Sequence, residues 1–389
     1  MLSDPFSYIA SLLFIAGVLK AVEVHSRWRL FSVLPAIVLL YFLVMVASTL
    51  GLWEKSADMS NAYKVMRNNL LPAMIFLMLL QADMRKIIQL GPRMLVAFLC
   101  AALTIGVGFI VSFSLFQSQL AADAWKTFAA LCGSWMGGTG NMAAIQLALN
   151  VPDSSMGYTL LIDSIDYAMW VMFLLALVPF AGRFAAWTGA DTQAIEKVSK
   201  GLTQENNHQE QDKTFSLLFL LGVALTVSAV SQYIAGWLPV SAYFTTTAWT
   251  VLLVTVFGVV GAMSPLSRLF GAVELSNLML YLIIALIASR ADFAELTQAP
   301  VYIIAGLVIL AVHGSLMVLL AKLFKFDLFT MGIASLANIG GVASAPILAA
   351  AYSRALIPVG VLMAMLGYII GTAGGLLVGR ILAAIAGVQ

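Results

Sequence analysis

The apolar positions of this chain gather into twelve runs, at 5–22, 30–50, 69–80, 94–116, 128–151, 156–180, 215–238, 248–263, 269–288, 301–323, 328–352 and 355–387. About 20 apolar residues suffice for a helix to cross the hydrocarbon core of a bilayer, so the pattern predicts an all-α polytopic membrane protein. One polar stretch, 182–213, separates six runs from six and reads as a solvated linker. The start, Met-Leu-Ser-Asp-Pro, lacks the basic residues of a signal peptide, so the first run is expected to be retained.

Composition agrees. Of 389 residues, 62% are apolar and 10% charged, and the mean hydropathy is +0.99. Soluble domains carry about 45–50% and about 25%. No polar stretch is long enough to fold alone, which excludes a soluble enzyme on a single anchor. Cys100 and Cys132 both lie in apolar sequence and match no metal or disulfide spacing.

Two runs differ from the others. The fifth contains Gly133, Ser134, Gly137, Gly138, Thr139, Gly140 and Asn141; the eleventh contains Ser335, Asn338, Gly340, Gly341, Ser344 and Pro346. Glycine at that density is costly in a continuous helix, so both are expected to break in the middle. A break frees backbone N–H and C=O groups at membrane depth, which is tolerable only where protein or a watery cavity receives them. Each broken run is the fifth of its half. A second register supports a duplication: Asn68-Asn69-Leu70-Leu71 leading to Gln81-Ala82-Asp83 resembles Asn277-Leu278-Met279-Leu280 leading to Arg290-Ala291-Asp292, at a constant offset of 209. The implied division is a first repeat over 1–181 with its discontinuous segment at 128–151, a cytoplasmic linker over 182–213, and a second repeat over 214–389 with its discontinuous segment at 328–352. Interrupted segments at matching positions of two halves point to the binding site of a secondary transporter.

Charge placement bears on topology more than the net charge of +2 does. Twelve crossings divide the 20 Lys and Arg almost evenly between the two sides. If the glycine-rich runs instead enter and leave on one side and the amino terminus is outside, only Lys55, Lys64, Arg67, Lys126, Arg290 and Arg380 lie outside. That asymmetry favours ten spanning helices, two re-entrant segments and an inverted second half.

Asp163 and Asp166 stand within the sixth run. Their i, i+3 spacing puts them on one helix face, and each ionised Asp at mid-membrane costs about 2.5–3.5 kcal/mol on insertion scales. One reading has one or both bind a coupling Na⁺ or H⁺; the other has them fix the broken backbone next door. The half-helices after each break would present N–H groups and partial positive charge to an anion. Ser134, Gly137, Gly138, Thr139 and Asn141 in the first segment, and Asn338, Gly340, Gly341 and Ser344 in the second, are therefore the candidate substrate-binding residues. Asn68 and Asn277 are further candidates that equally suit helix starts. Arg67 fits a snorkelling helix-end side chain, Glu274 is a weaker candidate, and His313 reads as a packed polar residue rather than a proton relay. Gly106, Gly108 and Gly371–Gly375 suit close helix packing. An aspartyl hydrolase is disfavoured, because such enzymes set their two carboxylates facing each other from separate helices.

The stretch Leu131-Cys132-Gly133-Ser134-Trp135-Met136-Gly137-Gly138-Thr139-Gly140-Asn141-Met142-Ala143-Ala144, followed by the Asp163 to Tyr167 helix, resembles the YjcL-like bacterial membrane proteins, a family of unknown function. Ala334-Ser335-Leu336-Ala337-Asn338-Ile339-Gly340-Gly341 looks like its counterpart in the second half. More distantly the chain is similar to sodium:glutamate symporters and to the group holding bile-acid symporters and cation/proton antiporters. The resemblance implies inverted repeats, core and scaffold domains, a homodimer and elevator-like alternating access. The expectation is a multi-pass protein of the bacterial inner membrane that moves a small organic anion (an acidic amino acid, dicarboxylate or short acidic peptide) with Na⁺ or H⁺. The alternative is a monovalent cation/proton antiporter using the same aspartates. Neither catalytic activity, nor a cofactor beyond the coupling ion, nor a nucleic-acid partner is expected.

Overall fold

The computed structural model describes residues 2–26, 31, 36–54, 56–82, 84–190, 212–240, 245–291, 299–353 and 356–388. Most of the 182–213 linker, with Lys197, Lys200 and His208, lies outside the described residues, as do Arg27, Arg29, Lys55, Asp83, Asp292 and Arg354. The described secondary structure is helical apart from one isolated bridge between Leu2 and Trp53.

The first half contributes α1 (Pro5–His25), α2 (Ala36–Thr49), α3 (Ala57–Leu79), α4 (Gly91–Phe116), the half-helices α5 (Ala124–Gly137) and α6 (Thr139–Leu149), and α7 (Met156–Leu177). The second contributes α8 (Lys213–Ala235), α9 (Thr246–Ala262), α10 (Ala272–Ala288), α11 (Ala299–Phe324), the half-helices α12 (Leu328–Ile339) and α13 (Gly341–Tyr352), and α14 (Ile357–Ile385). Element order repeats, and α4 and α11 are each 26 residues long. Among the described residues, six stretches are long and apolar enough to cross a membrane, and they contain α1, α4, α7, α8, α11 and α14, the same three members of each half. A short helix, Ala181–Thr188, occupies the start of the stretch that reads as linker. Likewise α3 begins twelve residues before the apolar run at 69, because its first turns, with Asp58, Asn61 and Lys64, are polar.

Polar caps set where the helices begin. Asp4 accepts from the Ser7 N–H at 2.8 Å, with Pro5 starting α1. Asp327, almost fully buried, opens α12 by accepting from the Thr330 N–H and hydroxyl, each at 2.8 Å, and Arg93 at the start of α4 reaches the same carboxylate at 3.3 Å.

The apolar interior divides in two. One cluster joins α4, α5, α7, α11, α12, α13 and α14; the other joins α1, α2, α3, α6, α8, α9 and α10, so the two halves of the first broken segment belong mainly to different clusters. Among the described helices, α5 and α14 make the most extensive contact. Gly367, Gly371, Gly375 and Gly379 recur every fourth residue on α14 and face Ala129, Gly133 and Gly137, at the same spacing on α5. Small residues let the two backbones touch, which in a bilayer supplies association that the hydrophobic effect cannot. A β-carbon on Gly371 would fall 2.8 Å from Gly137 Cα and 2.9 Å from its nitrogen. Backbone cannot move aside cheaply, and overpacking of this kind costs about 1–3 kcal/mol or more. Gly371→Ala should lower the melting temperature of the purified protein by about 1–4 °C. Gly17→Ala, with open space around the new carbon, should leave it nearly unchanged; equal effects would refute the close α5–α14 seam.

Candidate functional site

Both glycine-rich runs break where expected. Gly138 sits at φ 88° and Gly341 at φ 57°, a region that glycine alone enters freely. At each break a side chain from the following half-helix reaches back to a carbonyl before it. Asn141 donates its amide to Gly137 O at 2.6 Å, and Ser344 donates its hydroxyl to Leu336 O at 3.4 Å. Thr372 of α14 completes Asn141 by donating to Oδ1 at 2.6 Å. Asn141 and Ser344 therefore brace the breaks. Asn338 is buried, donates to Ala334 O at 2.9 Å and Phe98 O at 3.3 Å, and keeps a buried Oδ1 with no partner.

The two breaks meet on α14. A β-carbon on Gly367 would lie 3.0 Å from Met136 O, 3.1 Å from Gly137 Cα and 3.4 Å from Ala337 O, so the carboxyl ends of α5 and α12 address one spot. The amino ends of α6 and α13 start beside them, with Gly138, Thr139 and Gly340 partly exposed. Each break is also covered by a tyrosine from the last helix of the opposite half. Tyr368 of α14 lies 3.8 Å from the β-position of Gly138, and the Tyr167 ring of α7 fills the space a side chain on Gly340 would need. The Tyr167 hydroxyl pairs with Ser344.

Asp163 and Asp166 occupy different surroundings. Asp163 is partly exposed, and its Oδ1 accepts from the Ser134 hydroxyl at 3.1 Å and the Trp135 indole at 3.0 Å, both on the last turn of α5. Asp166 is fully buried, neither oxygen has a partner, and its carboxyl lies against Gly306 of α11 and Ile162. His313 is a packed histidine with full hydrogen bonding. Thr104 gives its proton to the Cys100 and Ala101 carbonyls at 2.9 Å, so His313 Nδ1 donates to Thr104 Oγ1 at 2.8 Å. Ser335 accepts from the Trp170 indole at 2.8 Å and so gives its own proton to Nε2 at 2.8 Å. That pattern is satisfied by the neutral Nδ1–H tautomer. It ties α4, α7, α11 and α12 together.

Asn68 and Asn277 are exposed on α3 and α10, as is Glu274. Their side chains do not join the breaks.

A family model described as a protein of unknown function (DUF819) matches residues 10–385. The chain belongs to that family. Among curated proteins, an uncharacterized membrane protein, YjcL, of Bacillus subtilis (strain 168) is 25% identical over 339 residues, 82% of this chain and 84% of the relative. With several long apolar helices among its described residues, the DUF819 chain is a multi-pass membrane protein.

One polar cluster escaped the sequence reading. Asp153, in the turn between α6 and α7, accepts from the Tyr63 hydroxyl at 2.7 Å and from Gln146 at 2.9 Å, while Tyr41 donates to its backbone carbonyl at 3.3 Å. Arg67 and Arg290 lie 5.8 and 5.7 Å from the centre of the Tyr63 ring. Arg67 thus packs on an aromatic ring near a carboxylate rather than snorkelling. The residues come from α2, α3, α6 and the ends of two other helices, so no local motif announces them. Burial pushes the Asp153 carboxyl up from its ordinary value, with Arg67, Tyr63, Arg290 and Gln146 opposing. A raised native pKa favours the fold at low pH and withdraws that contribution as pH rises through it. Asp153→Asn removes the titration and keeps an acceptor for Tyr63. Across about pH 4 to 8 the melting temperature of the variant minus that of wild type should rise with pH; a flat or falling difference would contradict the assignment.

Proposed function

We propose that this protein is a secondary active transporter that carries a small organic anion, such as an acidic amino acid, a dicarboxylate or a short acidic peptide, with Na⁺ or H⁺ by alternating access. The observation that carries the reading is the meeting of the two breaks on α14. Two helix carboxyl ends and two helix amino ends converge there, offering carbonyl oxygens to a cation and N–H groups to an anion at one level. Asp163 stands beside them with Oδ1 held by Ser134 and Trp135. Thr139 and the backbone of Gly138, Gly340 and Gly341 would receive the anion, and the aspartate pair the coupling ion. The second half is taken as an inverted copy of the first. In support, Thr104 and His313 touch at 2.8 Å and are separated by 209 residues, the offset that relates Asn68 to Asn277, as expected of equivalent positions on a local two-fold axis.

A thermal-shift screen of the purified protein against L-glutamate, succinate and short acidic peptides, with Na⁺ or K⁺, should find an anion that stabilises the fold, by about 2.7 kcal/mol at a hundredfold excess over its dissociation constant. Asp163→Asn keeps an oxygen for both hydrogen bonds while removing the charge. Its melting temperature should stay near wild type while uptake of that anion into proteoliposomes falls at least about tenfold. Undiminished uptake would remove Asp163 from the mechanism. A cation/proton antiporter is the second reading, favoured by the carbonyl ends of α5 and α12 meeting at Gly367, with Asp163 bonded to the last turn of α5. Ion exchange in liposomes free of organic solutes selects it.

A further inference from the structure

Asp166 is a carboxyl group that the packing leaves entirely alone. It is 0% exposed, both its oxygens are buried without a hydrogen-bond partner, and one rests on the bare face of Gly306, with Ile162 beside it. An ionised carboxylate deprived of water, cations and N–H donors is among the least tolerable groups in a protein interior, and neutralisation is the ordinary remedy. A hard cation takes a shell of several oxygen ligands, and Gly306 and Ile162, which lie beside this carboxyl, bring no side-chain oxygen. No group of three His, Cys, Asp or Glu side chains that would hold a metal ion occurs among the described residues. On the elements packed against α7, the buried or partly buried titratable groups are Tyr302 and His313 of α11 and Cys132 of α5, with Tyr158, Asp163 and Tyr167 on α7 itself. Tyr302 stacks on Tyr158, His313 is held by Thr104 and Ser335, Cys132 lies against Met136, and Asp163 is held by α5. Tyr41 of α2 and Tyr352 of α13 are engaged with Asp153 and Phe329. None bonds Asp166.

We infer that Asp166 carries the coupling proton: it is a neutral acid in this conformation and exchanges its proton with water only when the seam between α7 and α11 opens. The step is the reversible loss of one H⁺ from the carboxylic acid, leaving carboxylate. The proton is taken from water on one side of the membrane and returned on the other. Gly306 is part of the device, because any larger side chain there would push the carboxyl out of the seam. The inference rests on the transport reading and selects H⁺ over Na⁺ within it.

Infrared difference spectroscopy of the full-length purified protein at about pH 7 tests the protonation without a substrate. Wild type minus Asp166→Asn should contain the C=O band of a neutral carboxylic acid and no carboxylate bands. Carboxylate bands in place of the acid band would overturn the inference. Asp166→Glu should keep the acid band, and it serves as the measured variant if Asp166→Asn does not fold. In proteoliposomes loaded with a pH dye, an inward gradient of L-glutamate or succinate should draw protons inward through wild type. Asp166→Asn should reduce that proton flow at least about tenfold. Na⁺-dependent anion uptake without proton flow, unchanged in Asp166→Asn, would overturn the inference and leave the transport reading standing. Wild type that moves neither probe anion counts against the transport reading, and the infrared result still decides Asp166.

Discussion

Backbone polar groups cannot be left bare at membrane depth, and the fold is organised around two places where the helix ladder is cut. Asn141 and Ser344 take up carbonyls before the cuts, and Thr372 secures Asn141 in turn. The glycine stripe of α14 then lets the first cut approach that helix at backbone distance, while Tyr167 and Tyr368 cover each cut from the opposite half. These features depend on one another: without the stripe, Gly367 would not stand within contact of Met136 O and Ala337 O, and the helix ends would not share a level.

Against this frame the two intramembrane aspartates divide their labour. Asp163 is partly exposed and is tied to the end of α5 by two donors, Ser134 and Trp135. Asp166 has neither. His313, which also lies inside the membrane-spanning part, is explained by its bonds to Thr104 and Ser335 and needs no role in proton movement.

Local pattern made much of this legible. Run length gave the helices, and glycine clustering beside Asn and Ser gave the cuts, because helix propensity is a local property. The polar opening of α3 was missed, since Asp58, Asn61 and Lys64 hide a helix from a hydropathy scan. Asn68 and Asn277 carry the repeat register and are exposed on α3 and α10; the same offset of 209 links Thr104 to His313. Distinguishing Asp163 from Asp166 required knowing that α5 packs on one and Gly306 on the other, a non-local fact that spacing along α7 does not contain. The Asp153 cluster was invisible for the same reason, as its partners are dispersed over several helices.

The central claim is that the two cuts form one space opened alternately to either side of the membrane. In a variant with Cys100 and Cys132 replaced, a single cysteine at Thr139 tests it through labelling by a membrane-impermeant thiol reagent in right-side-out and inverted vesicles. The account predicts labelling from both sides, with the balance shifted by the transported anion or by pH. Labelling from one side alone under every condition would contradict it.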